Sequence, residues 1–246
     1  MLSVVIITKN ESKNIEQCLE SVKWADEIIV IDANSSDGTA VLAKKFTKNV
    51  FSRDWQGYGN AKNYGIEKAC GDWILSIDAD ERVTEKLKAE IKGIINSPKC
   101  DGYSIPRLLY FCGKPVKFGG CYPDYQLRLF KKQSGRFNDL EVHEGIELRG
   151  NKGYLKNHID HYSYATIEAY WERFNIYTTL DAKKKKRQNK KTSFFVLYLL
   201  PWECLRRLVF KAGILDGFPG VFYHIFSAVS SVVKYAKLWE LNNDKK

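Results

Sequence analysis

Apolar residues recur along this chain in two periods. Short runs rich in Val and Ile come first, over 2–8, 27–32, 49–52 and 74–77. Runs of that length, bounded by turn formers and charge, predict strands covered on both faces. Between them the period is helical. Ile15, Cys18, Leu19 and Val22 predict a helix over 14–22, and further helices are expected over 39–46, 60–70 and from Thr84 to about Ile95. Asp37 and Thr84 stand where capping side chains belong. The β-α-β-α-β-α-β alternation predicts an α/β fold, a mostly parallel twisted sheet flanked by helices with right-handed crossovers.

The rhythm changes after Pro98. Strand-like pieces over 103–111, 125–131 and 142–148 are punctuated by Gly113, Gly119, Gly120 and Gly135, and read as strands and active-site loops completing the same domain. From Thr166 the helical period returns, with Ile167, Tyr170, Trp171, Phe174, Tyr177 and Leu180 on one expected face. The organisation expected is a catalytic domain over 1–160 and a helical, basic and apolar extension over 161–246. No internal repeat is present.

The strand over 74–77 runs into Asp78-Ala79-Asp80-Glu81. A bare carboxylate is costly to bury. These acids therefore belong at the strand's carboxyl end, where open α/β sheets bind their ligands. Carboxylate oxygens suit Mg²⁺ or Mn²⁺, and those ions suit phosphate-bearing substrates. The plainer alternative is a solvated turn with a helix cap. Thr8, Asn10 and Glu11 follow the first strand and Asp32 ends the second. Parallel strands present their carboxyl ends at one edge, so these groups are expected to converge on one crevice. Asp32 would accept from a base or ribose there, or cap its own turn. No G-x-G-x-x-G follows the first strand and no G-x-x-x-x-G-K-[ST] occurs, which counts against a dinucleotide site and a P-loop.

Charge separates the two parts of the chain. The net formal charge of +10 divides into +2 over 1–155 and +8 over 156–246. A nucleic-acid-binding module would spread basic residues through the fold, so no nucleic-acid partner is expected. The Lys183–Arg187 run precedes two apolar segments, 194–200 and 221–233, flanked by Lys, Arg, Trp and Tyr. That combination suits helices lying in a membrane interface, with the lysines drawn to anionic headgroups. The alternative is a solvated helix face, with the apolar segments covered by the catalytic core or by a second subunit in a homo-oligomer. No apolar run approaches the roughly 18–20 residues of a spanning helix. No secretory leader is read before the first strand. Six cysteines without a C-x-x-C pair predict reduced thiols in the cytosol rather than zinc or disulfides.

Four ordered stretches carry a resemblance: Ser3-Val4-Val5-Ile6-Ile7-Thr8-Lys9-Asn10-Glu11, Ile31-Asp32-Ala33-Asn34-Ser35-Ser36-Asp37-Gly38-Thr39, Asn60-Ala61-Lys62-Asn63-Tyr64-Gly65 and Asp78-Ala79-Asp80-Glu81. Together, over roughly residues 1–150, they resemble the successive signatures of a family 2 inverting glycosyltransferase. Pro123 to Phe130, Val142-His143-Glu144 and Leu215-Asp216-Gly217 through Trp239 are similar to one subgroup, the lipopolysaccharide-core β-glucosyltransferases.

The resemblance implies a GT-A fold, a nucleotide-diphosphate sugar donor (a UDP-sugar is the expected form) and a divalent metal. It implies base and ribose contacts near Thr8, Asn10, Glu11 and Asp32, with Lys62 near the nucleotide or its phosphates. Asp78 would meet ribose or metal, and Asp80 the metal. The catalytic base is expected at Asp124 or at Glu144, and His143 is a further metal ligand. A structural ion-paired patch of Arg128, His143 and Glu144 is the alternative. The expected acceptor is a lipopolysaccharide core or another glycolipid or glycan, with the enzyme peripheral on the cytoplasmic face of the inner membrane. The enzyme rival is a sugar nucleotidyltransferase, but Thr8-Lys9-Asn10-Glu11 lacks the glycine its phosphate loop would need.

Overall fold

The structure is a computed structural model that describes residues 1–138 and 145–243. The first strands and helices alternate as the pattern predicts: β1 (Leu2–Thr8), α1 (Ile15–Val22), β2 (Glu27–Asp32), α2 (Thr39–Ala43), β3 (Val50–Ser52), α3 (Tyr58–Lys68) and β4 (Trp73–Asp78). The acidic turn leads into a short β5 (Glu81–Val83) and then α4 (Glu85–Asn96). Thr84 caps α4 by accepting from the Leu87 amide at 3.2 Å. Asp37 accepts from the Thr39 amide, but α2 stops at Ala43, three residues before the expected end.

Strands then dominate: β6 (Gly102–Phe111), β7 (Lys114–Val116), β8 (Asp124–Lys131), β9 (Gly135–Phe137), β10 (Ile146–Leu148), β11 (Lys152–Tyr154) and β12 (Ile159–Tyr164). The main sheet runs β3-β2-β1-β4-β8-β6-β12-β5, and β9 pairs with β10 in a separate ribbon. The β3, β2, β1 and β4 strands are parallel, as their two-sided apolar runs demand. Beyond β4 the sheet turns antiparallel, since β8 pairs antiparallel with both β4 and β6. The result is a mixed sheet whose parallel half comes from the N-terminal alternation.

The chain forms two compact units, 1–107 with 124–161, and 108–123 with 162–246. In the first, one apolar layer joins Val4, Ile6, Val30, Leu75 and Ile77 to α1 and α4. The opposite layer joins Val5, Ile7, Ile29, Ile31 and Ile74 to α3. Helix α3 reaches the sheet because Gly65 has no side chain: a Cβ there would lie 2.4 Å from Val5 Cγ1 and 3.2 Å from Ile31 Cγ1.

The second unit is built on α5 (Ile167–Arg187) and α7 (Gly217–Asn243), with α6 (Leu199–Leu205) between them. Tyr170 lies at the centre of an aromatic cluster, with ring centroids 5.7 Å from Phe111, 5.5 Å from Phe226 and 4.9 Å from Tyr164. The buried stripe of α5 is Tyr170, Thr178 and Ala182, while Ile167, Trp171 and Tyr177 stay exposed. A face of six apolar residues was expected; α7 covers a narrower one. Lys185 and Lys186 of the basic run hold that partner, over the Tyr235 ring at 4.7 Å and on the Leu241 carbonyl at 2.6 Å.

At the start of α7 a buried polar clamp closes the unit. His224 Nε2 lies 2.9 Å from Asp216 Oδ2, and both side chains are almost fully inaccessible. Asp216 Oδ1 also accepts from the Lys117 amide at 2.8 Å. No helix among the described residues is long and apolar enough to cross a membrane. All six cysteines are free thiols.

Gly65→Ala is expected to push α3 off the sheet and to destabilise the protein by about 1–3 kcal/mol, the usual cost of overpacking. Urea unfolding measures it, and an unchanged midpoint would mean that α3 does not sit as described.

Candidate functional site

The register of the parallel strands decides which residues meet. Thr8 pairs with Asp32 across β1 and β2, and Ile7 pairs with Asp78 across β1 and β4. The carboxyl ends of three strands therefore form one edge. Because β8 runs antiparallel to β4, its first residue, Asp124, belongs to that same edge. Antiparallel pairing of β5 with β12 sets His161 opposite Glu81.

A chain of alternating charges crosses this edge. Lys62, buried on α3, places Nζ 3.0 Å from Asp78 Oδ1. Arg128 Nη2 lies 2.8 Å from Asp78 Oδ2 and 2.7 Å from Glu81 Oε1. Arg107 continues the chain, 3.5 Å from Glu81 Oε1 and 2.6 Å from Asp124 Oδ2. Glu81 is fully buried, and its second oxygen accepts from the Asp78 amide at 2.9 Å. Three cations and three carboxylates thus offset one another in a place where an unpaired charge would be costly.

The electrostatics follow from those neighbours. Burial pushes the Asp78 carboxyl up, but Arg128 and Lys62 outweigh it and hold Asp78 well below the ordinary carboxylate range. Burial likewise raises Asp124, and Arg107, helped by Gln126, brings it below its ordinary value. Asp124 is thereby kept ionised and oriented, at some cost in basicity. Cys18, beneath the acidic turn, is driven the other way by burial and by the carboxylates of Glu81, Asp80 and Asp78.

Two atoms at the edge stand apart from this network. Thr8 Oγ1 and Asp32 Oδ1 are buried with no hydrogen-bond partner among the described residues. The other Asp32 oxygen accepts from the Ser35 amide at 3.0 Å, so the carboxylate is fixed with one oxygen left over. Buried polar atoms are nearly always satisfied, and exceptions call for an explanation such as a ligand. Asn10 and Glu11 brace the loop around them. Asn10 Oδ1 accepts from the Ser36 amide at 2.9 Å, and the Glu11 amide donates to Thr39 Oγ1 at 2.9 Å. Asn10 adopts φ 55°, a left-handed conformation that Asn tolerates better than most residues.

Asp80 lies in the turn after β4, only 8% exposed, with Oδ2 3.5 Å from His161 Nε2. Among the described residues no group of three or more His, Cys, Asp or Glu side chains is arranged to hold a metal. The Asp80–His161 pair supplies one oxygen and one nitrogen donor. That set suits a small divalent ion which keeps waters and takes its remaining ligands from substrate phosphates. His143 and Glu144 lie outside the described residues. Among the described residues the histidine beside the acidic turn is His161, whose sequence signal was faint: an Asp-His pair inside a short apolar-polar alternation, 159–164. Arg107 and Glu81 also went unassigned, because their roles depend on pairing across strands.

Comparison with known proteins was informative at the level of family. The model for "Glycosyl transferase family 2" matches residues 3–163. An uncharacterized glycosyltransferase of Rickettsia prowazekii (strain Madrid E) is 33% identical over 258 residues, 98% of this chain and 87% of the relative. The lipopolysaccharide core biosynthesis glycosyltransferase LpsC of Rhizobium meliloti (strain 1021) is 28% identical over 97% of this chain and 92% of its own length. Among solved structures, Staphylococcus aureus TarS 1–349 in complex with UDP aligns at 14% identity and a TM-score of 0.49, over 100% of this chain and 92% of that one.

Arg128→Met would strand Asp78 and Glu81, and should cost about 3–5 kcal/mol in urea unfolding at neutral pH, as breaking a buried pair does. The depressed Asp78 contributes stability above its unfolded value of about 3.8, and that stability is lost as pH falls through the lower folded value. The acid limb should therefore be steeper in the parent than in Arg128→Met. Equal slopes would show that Arg128 does not set the Asp78 titration.

Proposed function

The chain belongs to glycosyl transferase family 2, and we propose that it moves a hexose from a UDP-sugar to a lipopolysaccharide-core or related glycolipid acceptor, with inversion at the anomeric carbon. The observation that carries this reading is the gathering of Asp32, Asp78, Asp80 and Asp124 at one sheet edge, beside two buried oxygens without a partner among the described residues. The LpsC likeness supports the choice of acceptor class.

Each residue has a task in this reading. Asp32 and Thr8 accept and donate hydrogen bonds to the base and ribose through the atoms their own fold does not use. Asp78, held between Lys62 and Arg128, fixes the wall on which the donor lies. Asp80 and His161 would hold Mg²⁺ or Mn²⁺, which when bound supplies positive charge to a departing diphosphate. Asp124 takes the proton of the acceptor hydroxyl from the face opposite the leaving group. Arg107 keeps Asp124 ionised and aimed for that step. Glu144 is the rival base. A glycolipid acceptor would set the enzyme on the cytoplasmic face of the inner membrane as a peripheral protein.

UDP-glucose with Mn²⁺ is expected to raise the melting temperature, since ligand at roughly a hundred times its Kd adds about 2.7 kcal/mol of stability. Asp32→Ala should abolish that shift. Asp80→Asn should lower kcat by roughly two to three orders of magnitude, the scale of losing one group that stabilises developing charge, while the unliganded melt stays unchanged. Asp124→Asn should remove transfer and spare donor binding. If Glu144→Gln does so instead, the base assignment reverses. Full activity in Asp80→Asn would reject the site.

A further inference from the structure

Large apolar side chains that remain exposed are not scattered evenly over this protein. Half of those among the described residues fall within residues 194–218, with Phe194 at 81%, Phe195 at 76% and Phe218 at 77% exposed. Trp202, Phe210 and Leu215 belong to the same stretch. Soluble surfaces seldom carry so dense an apolar patch unless something covers it. Beyond its first turn, most of helix α7 does not share the property. Apart from Ala236, its positions over 221–238 are buried or half-buried, and α5 takes its inner face, with Lys237 Nζ tied to Asn175 and Thr178 at 2.6 and 2.9 Å. The stretch with the exposed apolar surface is therefore 194–218, whereas the sequence pattern had offered 221–233 as well.

The local chemistry of the stretch points to one kind of cover. Only five of its residues are charged, and four of them have polar partners within the unit. Glu203 accepts from both Arg206 and Arg207, and Asp216 is paired with the buried His224. Exposed cations instead flank the apolar surface, Lys190 and Lys191 before it and Lys211 within it. Aromatic and aliphatic side chains bordered by lysines match the depth profile of a bilayer interface, where headgroups are anionic and the acyl boundary is apolar. No single straight helix of the described residues is long and apolar enough to cross. Phe194–Phe210 and Gly213–Asn243 meet at a bend of 74°, and the second of them is held by α5. A run of this length bent so sharply suits a position within one leaflet better than a straight span.

We propose that residues 194–218 form a re-entrant segment that inserts into the interface of an anionic bilayer, with the Asp216–His224 clamp fixing its return into α7. The assignment deepens the reading of a lipid-linked acceptor and rests on it for its purpose, but the lipid contact needs no turnover. Phe118 extends the same surface: it is 40% exposed, and its amide donates to Asp216 Oδ2 at 3.0 Å.

The test is flotation of the full chain with vesicles of equal parts phosphatidylglycerol and phosphatidylethanolamine, and with vesicles of phosphatidylcholine alone. Binding is expected to the anionic vesicles, and the triple variant Phe194→Ser, Phe195→Ser, Phe218→Ser should weaken it at least tenfold. Lys190→Gln with Lys191→Gln and Lys211→Gln should weaken it on anionic vesicles only. Quenching of tryptophan emission by brominated acyl chains, lost in Trp202→Phe, reads the insertion without disturbing the fold. Unchanged vesicle binding by the triple variant overturns the proposal. So does a parent that ignores vesicles but sediments as a dimer which the triple variant dissociates, because the cover is then a second copy. UDP-glucose binding measured on the same variants separates a failed membrane surface from a failed transferase.

Discussion

Six buried or half-buried charges, Lys62, Asp78, Arg128, Glu81, Arg107 and Asp124, alternate in sign across the edge of the sheet, and the arrangement of the catalytic unit depends on their mutual neutralisation. They come from five places in the sequence: α3, the end of β4, the start of β5, β6 and β8. Removing a member leaves its neighbours ionised in a poorly solvated place. The network therefore makes the positions of β8 and β6 against β4 conditional on one another. That interdependence is a stronger constraint on geometry than on stability, since buried ion pairs return little more than their desolvation cost.

The network also determines which groups are left to do chemistry. Asp78, the first acid of the D-x-D stretch, is committed to Arg128 and Lys62. Asp80, two residues on, lies next to His161. Asp124 is held by Arg107 in a fixed direction, with its carboxyl below the ordinary value. Thr8 and Asp32, paired across β1 and β2, supply oxygens that the protein's own hydrogen bonds do not absorb. A sheet edge that satisfies its charges internally and leaves selected polar atoms for a ligand is preorganised, because those atoms need not be freed from other bonds when the ligand arrives.

The second unit solves a different problem with the same means. Its interior is aromatic, centred on Tyr170, and a deeply buried polar feature beside it is the Asp216–His224 clamp. Burial outweighs the carboxylate and holds His224 below its ordinary value. The clamp ties the 117–118 turn to the start of α7 and leaves the apolar surface of 194–218 outside the unit's own core.

Much of the first unit was legible in the chain itself. Two-sided apolar runs can be satisfied only by covered parallel strands, and carboxylates following such runs can sit only at their ends, so β1, β2, β4 and the acidic edge followed from burial costs alone. Thr84 announced the start of α4 because a cap is a local interaction, and the returning helical period announced α5. The antiparallel half of the sheet, the narrow buried face of α5 and the choice of His161 as the companion of Asp80 were not legible. Each depends on which strand or helix lies alongside, and pairing between segments scores of residues apart leaves no period in the sequence. Local composition determined where charge and apolar surface had to lie along the chain; only tertiary structure decided which of those charges cancel, because Coulomb energy depends on separation in space and not along the chain.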